Sequence, residues 1–204
     1  MATIWLLASP AAGQDMQKGL AAYQRGDYAA ALREIRPSAE QGLAEAQNKL
    51  GLMYDIGSGV TQDFTEAVKW YRRAAEQGQA DAQFSLGYMY DNGEGAPRDL
   101  VQAVTWYRRA AEQGVAGAQL RLGHMYSEGK GAPSNRVLAH LWLNLAAASH
   151  KLPSVRELAA GDRERVTAKM NSAELAEAER LARQWKPRTW AEVQSAEREA
   201  GQRR

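Results

Sequence analysis

The chain has 204 residues, 45% hydrophobic and 25% charged, a composition of folded soluble proteins rather than disordered or membrane-spanning ones. Its 26 Lys and Arg against 24 Asp and Glu leave a formal charge of +2, and even residues 151–204, with 12 basic and 9 acidic groups, carry too small a surplus to imply a nucleic-acid partner. The absence of Cys removes disulfides, thiolate metal ligands and cysteine nucleophiles, and three His (His124, His140, His150) leave little for zinc or general-base chemistry.

Residues 1–14 contain the apolar run Ile4 to Ala8, far short of the ~20 residues a membrane-spanning helix needs. The run resembles a secretory apolar region, with Ala11-Ala12-Gly13 as a small-residue cleavage site, although no Lys or Arg precedes Lys18. The expectation is a cleaved segment and a periplasmic or secreted protein. The alternative is an apolar N-terminal arm packed on the first helix of a cytoplasmic one. Residues 15–43 read as a degenerate helical unit, with helices at Asp15–Tyr23 and Tyr28–Glu40 joined by the short turn Gln24-Arg-Gly-Asp27.

From there the sequence repeats. Ala44-Glu-Ala-Gln-Asn-Lys-Leu-Gly51, Ala80-Asp-Ala-Gln-Phe-Ser-Leu-Gly87 and Ala116-Gly-Ala-Gln-Leu-Arg-Leu-Gly123 stand 36 residues apart. The same interval relates Met53-Tyr54, Met89-Tyr90 and Met125-Tyr126, then Gly57/Gly59, Gly93/Gly95 and Gly129/Gly131. It also relates Asp63, Asp99 and Asn135, and Trp70, Trp106 and Trp142, while Arg72–Gly78 recurs word for word as Arg108–Gly114. A fixed period of this size means stacked supersecondary units, none able to bury its apolar face alone.

Each unit predicts two helices. In the first, Ala46, Leu50 and Met53 fall at i, i+4 and i+7, an apolar stripe of helical period. After a Gly-bearing loop, Asp63 is placed as an N-cap with Glu66 completing a capping box, and Asp99 with Gln102 repeats the arrangement. The second helix carries Ala67, Trp70, Tyr71, Ala74 and Ala75, and Gly78 ends it in a left-handed cap. No run alternates with period 2, so no sheet is expected.

These residues resemble the Sel1-like repeat, a relative of the tetratricopeptide repeat. The likeness lies in Ala-x-Ala-Gln-x-x-Leu-Gly-x-Met-Tyr, then Gly-x-Gly, then Asp and Ala-Val-x-Trp-Tyr-x-x-Ala-Ala. It covers units 44–79 and 80–115 in full and the start of 116–150. The resemblance implies an all-α, right-handed α-solenoid, with the first helices lining its concave surface. It also implies a non-catalytic scaffold that binds a protein or peptide. Some proteins of this kind are described as β-lactamase-type or muropeptide-binding, but those carry paired cysteines, which this chain lacks. The envelope hydrolase or cell-wall ligand binder and the cytoplasmic regulatory adaptor stand as alternatives. Two C-terminal helices, about 154–169 and 172–185, suit a cap, with Leu175, Ala178, Leu181, Ala182 and Trp185 on one face and Glu174, Glu177 and Arg180 on the other. Residues 186–204 are expected to form a solvated polar tail.

Candidate chemistry is sparse. The Gly-x-Gly loops lack the preceding strand and spacing of a phosphate loop, and a turn repeated in register reads as structural. Gly57-Ser58-Gly59 has its glycines too near the serine for a nucleophile elbow. The Trp70/Trp106/Trp142 ladder sits among alanines at core spacing. The Arg72-Arg73 and Arg108-Arg109 pairs have Glu76 and Glu112 at i+4 from Arg72 and Arg108, where side chains meet and neutralise one another. No catalytic, metal or cofactor residue is assigned.

The informative positions are those that change between repeats. Glu45, Lys49 and Leu52 become Asp81, Ser85 and Tyr88, then Gly117, Arg121 and His124. Spacing of i, i+4, i+7 puts each trio on one helical face. Glu45, Lys49, Leu52, Asp81, Ser85, Tyr88, Arg121 and His124 are therefore the candidate partner-binding residues.

Overall fold

The computed structural model describes residues 10–202, which form eleven α-helices and no strand. Residues 1–9, the larger part of the candidate export segment, lie outside the described residues. The helices fall in two compact units, residues 1–98 and 99–204.

The first unit holds α1 (Pro10–Gln24), α2 (Tyr28–Glu40), α3 (Ala44–Ile56), α4 (Phe64–Glu76) and α5 (Ala80–Asn92). Each helix packs on the next in chain order, the nearest-neighbour pattern of a repeat protein. Met16, Ile35, Leu50, Met53 and Tyr71 are buried to 1% exposure or less and dominate its core. The small residues of the repeat set how closely the helices approach. A Cβ on Gly51 would lie 2.7 Å from the Tyr71 ring, so the aromatic of α4 lies against the backbone of α3. Helix α1 starts at Pro10, earlier than the period suggests, and takes in Ala11-Ala12-Gly13.

The second unit holds α6 (Leu100–Glu112), α7 (Ala116–Glu128), α8 (Arg136–Ser149), α9 (Pro153–Thr167), α10 (Ser172–Gln184) and α11 (Trp190–Gln202). Helix α6 packs on α7 and α7 on α8, while α8 meets both α9 and α10. Trp106 and Trp142 are buried at 8% and 6% exposure, the latter edge-on to Trp185 with ring centroids 6.4 Å apart.

The repeated loops are built alike. Gly57, Gly93 and Gly129 cap α3, α5 and α7 in the left-handed region, with φ of 74°, 78° and 70°. The second glycine of each loop abuts the start of an earlier helix. A Cβ on Gly95 would lie 2.0 Å from the Phe64 carbonyl oxygen, and one on Gly131 2.1 Å from that of Leu100. Asp63 and Asp99 accept from the next helix's backbone, at Thr65 and Glu66 and at Val101 and Gln102.

Several expectations give way. Glu66 does not reach back to close a capping box at Asp63; it takes Lys69 at 2.5 Å, and the reciprocal box occurs at Asn171 and Glu174. Trp70 is only half-buried, unlike its two repeat mates. Arg72 hydrogen-bonds the Tyr90 hydroxyl rather than pairing with Glu76. The expected polar tail is helix α11. Thr189 and Glu192 cap it, and its apolar positions Trp190, Val193 and Ala196 share one side, with Val193 only 1% exposed. High charge hid that short stripe.

Candidate partner-binding surface

Repetition and burial coincide in the first helices. Ala46, Gln47, Leu50, Gly51 and Met53 of α3, with their counterparts in α5 and α7, are all buried. The glutamine has a specific task. Nε2 of Gln47, Gln83 and Gln119 donates to the carbonyls of Ala39, Ala75 and Ala111 at 3.1, 3.1 and 3.3 Å, satisfying a C-terminal carbonyl of the preceding helix. The changing positions behave differently. Glu45, Asp81, Tyr88 and Arg121 are exposed, and Lys49, Leu52, Ser85 and His124 are half-buried.

Glu45, Lys49, Leu52, Asp81, Ser85 and Tyr88 belong to the first unit, on α3 and α5. Lys49 Nζ lies 4.6 Å from the centre of the Tyr23 ring, a cation–π contact that orients its ammonium. Ser85 hydrogen-bonds Tyr71, whose hydroxyl donates to Asp55 at 3.0 Å. Burial pushes both the Tyr71 phenol and the Asp55 carboxyl above their ordinary values. Leu52 and Tyr88 supply apolar area beside these polar groups.

Arg121 and His124 belong to the second unit, on α7. His124 is engaged with its own chain, its Nε2 lying 2.6 Å from Asp162 of α9, which Arg165 also pairs. Burial, the largest influence, pushes the imidazole below its ordinary value. His124 thus fastens α9 to α7. Sequence spacing could not show this, because Asp162 is 38 residues away.

The His124–Asp162 contact borders a cleft of about 380 Å³ that Ser127 also lines. Ser127-Glu128-Gly129-Lys130 has the Ser-x-x-Lys spacing of acyl-transfer nucleophiles, so the sequence does not lack that constellation. The geometry does not activate it. Lys130 pairs with Glu128 at 2.5 Å, and the Ser127 hydroxyl has no hydrogen bond to His124. The serine also sits in the last turn of α7, where the negative end of the helix dipole opposes a developing oxyanion.

The paired arginines of the second helices meet different fates. In the second unit Arg109 grips Glu197 of α11 with two hydrogen bonds, and Glu112 lies 3.6 Å from Arg188. Burial pushes the Glu112 carboxyl above its ordinary value. In the first unit Arg73 is exposed, lying 4.6 Å from the Trp70 ring.

The Sel1 repeat family model matches residues 44–79, 80–115 and 116–150, together more than half the chain. The chain belongs to the Sel1 repeat family. A solved Sel1 repeat protein from Oxalobacter formigenes is 39% identical over 65% of this chain, with a TM-score of 0.63. The protective antigen c5321 of uropathogenic Escherichia coli, with an SLR fold, is 28% identical over 90% of this chain at a TM-score of 0.58. This Sel1 repeat chain spans 55% and 48% of those two structures' lengths. No curated protein matches it. The all-α helical-repeat class expected from the 36-residue period is therefore the fold.

Proposed function

We propose that this Sel1 repeat protein is a non-catalytic scaffold that binds a protein or peptide partner through the first-helix faces of its repeats. One observation carries the reading. Ala46, Gln47, Leu50, Gly51 and Met53 of α3 are unchanged in α5 and buried in both helices, while the trios Glu45, Lys49, Leu52 and Asp81, Ser85, Tyr88, which differ at i, i+4, i+7, are exposed or half-buried. The fold therefore leaves that face free to vary. Tyr88, 36% exposed beside Ser85 and Asp81, is the kind of anchor that protein interfaces favour. Arg121 extends the set in the second unit, and His124 contributes only the ring edge left over from Asp162.

The double variant Tyr88→Ala with Arg121→Glu is expected to lose partner capture in a crosslinking pull-down while circular dichroism and melting stay unchanged. Unaltered capture by the folded variant contradicts the assignment. Hydrolysis of a chromogenic cephalosporin that disappears in Ser127→Ala contradicts the non-catalytic reading and favours the envelope hydrolase. The proposal includes a cell-envelope location, supported by the apolar run Ile4 to Ala8 and the small residues after it. Intact-mass measurement of periplasmic extract checks this, and a retained N-terminus favours the cytoplasmic adaptor.

A further inference from the structure

Trp70–Gly78 of α4 and Trp106–Gly114 of α6 are the same nine residues. In the second unit they carry a helix. Arg109 Nε and Nη2 donate to the two Glu197 carboxylate oxygens at 2.9 and 3.0 Å, and the guanidinium lies 5.7 Å from the Trp190 ring. The backbone N–H of Arg188 donates to the Glu112 carbonyl at 2.8 Å. Thr105, Arg108, Arg109 and Glu112 border the cleft against Glu197.

Thirty-six residues earlier, those four positions are Lys69, Arg72, Arg73 and Glu76. All four line an open groove on α4 of about 460 Å³, walled on its other side by the 95–97 loop. All four are exposed, whereas three of their α6 counterparts are half-buried. Arg73 lies over Trp70 at 4.6 Å, as Arg109 lies over Trp106 at 4.6 Å, so the guanidinium is already set for a carboxylate. Among the described residues none forms an ion pair with it. Lys69 stands in place of Thr105 but is paired with Glu66, so among the described residues the unpaired cation of the groove is Arg73.

We infer that the α4 groove is a docking site for an acidic amphipathic helix of another protein. That helix carries a Trp, an aliphatic residue three positions on and a Glu seven positions on, the pattern of Trp190, Val193 and Glu197. Bidentate Arg–carboxylate bonding sets its register, and stacking of Trp on the guanidinium sets its orientation. The mode is a helix laid in a groove, read by side chains one turn apart. This surface lies on a second helix and is independent of the first-helix face proposed above.

The test uses the full chain and a fluorescent synthetic peptide of residues 189–202, held helical by an i,i+4 staple because so short a helix is marginal in water. The wild-type chain, its α6 site filled by its own α11, is expected to bind the peptide. Arg73→Glu should weaken binding at least tenfold without changing circular dichroism or melting. A peptide with Glu197→Arg should recover binding to the Arg73→Glu chain. Absence of binding overturns the inference, as does binding indifferent to Arg73→Glu, which would mean exchange at α6. Concentration-dependent dimerisation of the chain that Arg73→Glu abolishes assigns the groove to a second copy and also overturns it.

Discussion

Helices α4 and α6 make a natural experiment. They share the run Trp70–Gly78 and Trp106–Gly114, the same Asp N-cap and the same glycine beyond the last turn. Their cores match: Ala67, Tyr71, Ala74 and Ala75 are buried, as are Ala103, Tyr107, Ala110 and Ala111. Their outer faces differ, because Trp70 and Arg73 remain open while Trp106 is 8% exposed and Arg109 is held by Glu197. The repeated sequence specifies helix, cap and core. What covers the outer face is decided by a segment outside the repeat, and a surface so identical can be closed in one place and available in another.

The sharpest consequence is for the two tryptophans. Trp106→Ala should cost about 4 kcal/mol as a large truncation under cover. Trp70→Ala should cost about half as much, because part of its ring already meets water. Urea unfolding followed by circular dichroism measures both, and equal losses would break the contrast between the two outer faces.

The loops should behave as equals. Gly95→Ala and Gly131→Ala each force a side chain onto backbone with φ of 68° and 71° and onto a carbonyl oxygen about 2 Å away. Each is expected to cost about 3 kcal/mol from left-handed strain and the displaced helix start. A tolerated alanine at either site would show that the two loops do not brace their helices alike.

A smaller effect separates the units by pH. His124, His140 and His150 all lie in the second unit, and burial pushes the imidazoles of His124 and His140 below their ordinary value. His140 is 6% exposed, and its Nδ1 has no hydrogen-bond partner among the described residues. A depressed histidine leaves the fold at full stability above about pH 6.5; below it the unfolded chain binds the proton first and stability falls. Protection factors, which correct for the slower intrinsic exchange at lower pH, should therefore fall in residues 99–202 between about pH 6.5 and 5. His140→Leu should flatten part of that dependence, and an unchanged profile would contradict it.

Much of this was legible in residue spacing. Ala46, Leu50 and Met53 announce their helix by period, and Asp63, Asp99 and Gly78 mark the ends. The buried Gln47, Gln83 and Gln119 were visible as repeated letters, but their carbonyl partners eight residues earlier required the packed hairpin. Three features escaped for one physical reason: they depend on pairing across long sequence separations. Asp162 meets His124, Glu197 meets Arg109, and α11 exists as a packed helix because a basic, aromatic face receives it. Propensity alone, with Glu192, Glu197, Arg198 and Glu199 in thirteen residues, gave no such sign.

The most direct test compares the chemical accessibility of two arginines. Phenylglyoxal modification of the full chain, mapped by peptide mass spectrometry, should label Arg73 readily and leave Arg109 protected. In Glu197→Arg, which repels α11 from α6, Arg109 should label as fast as Arg73. Equal labelling of both arginines in the unaltered chain would contradict the claim that one copy of this surface is covered and the other open.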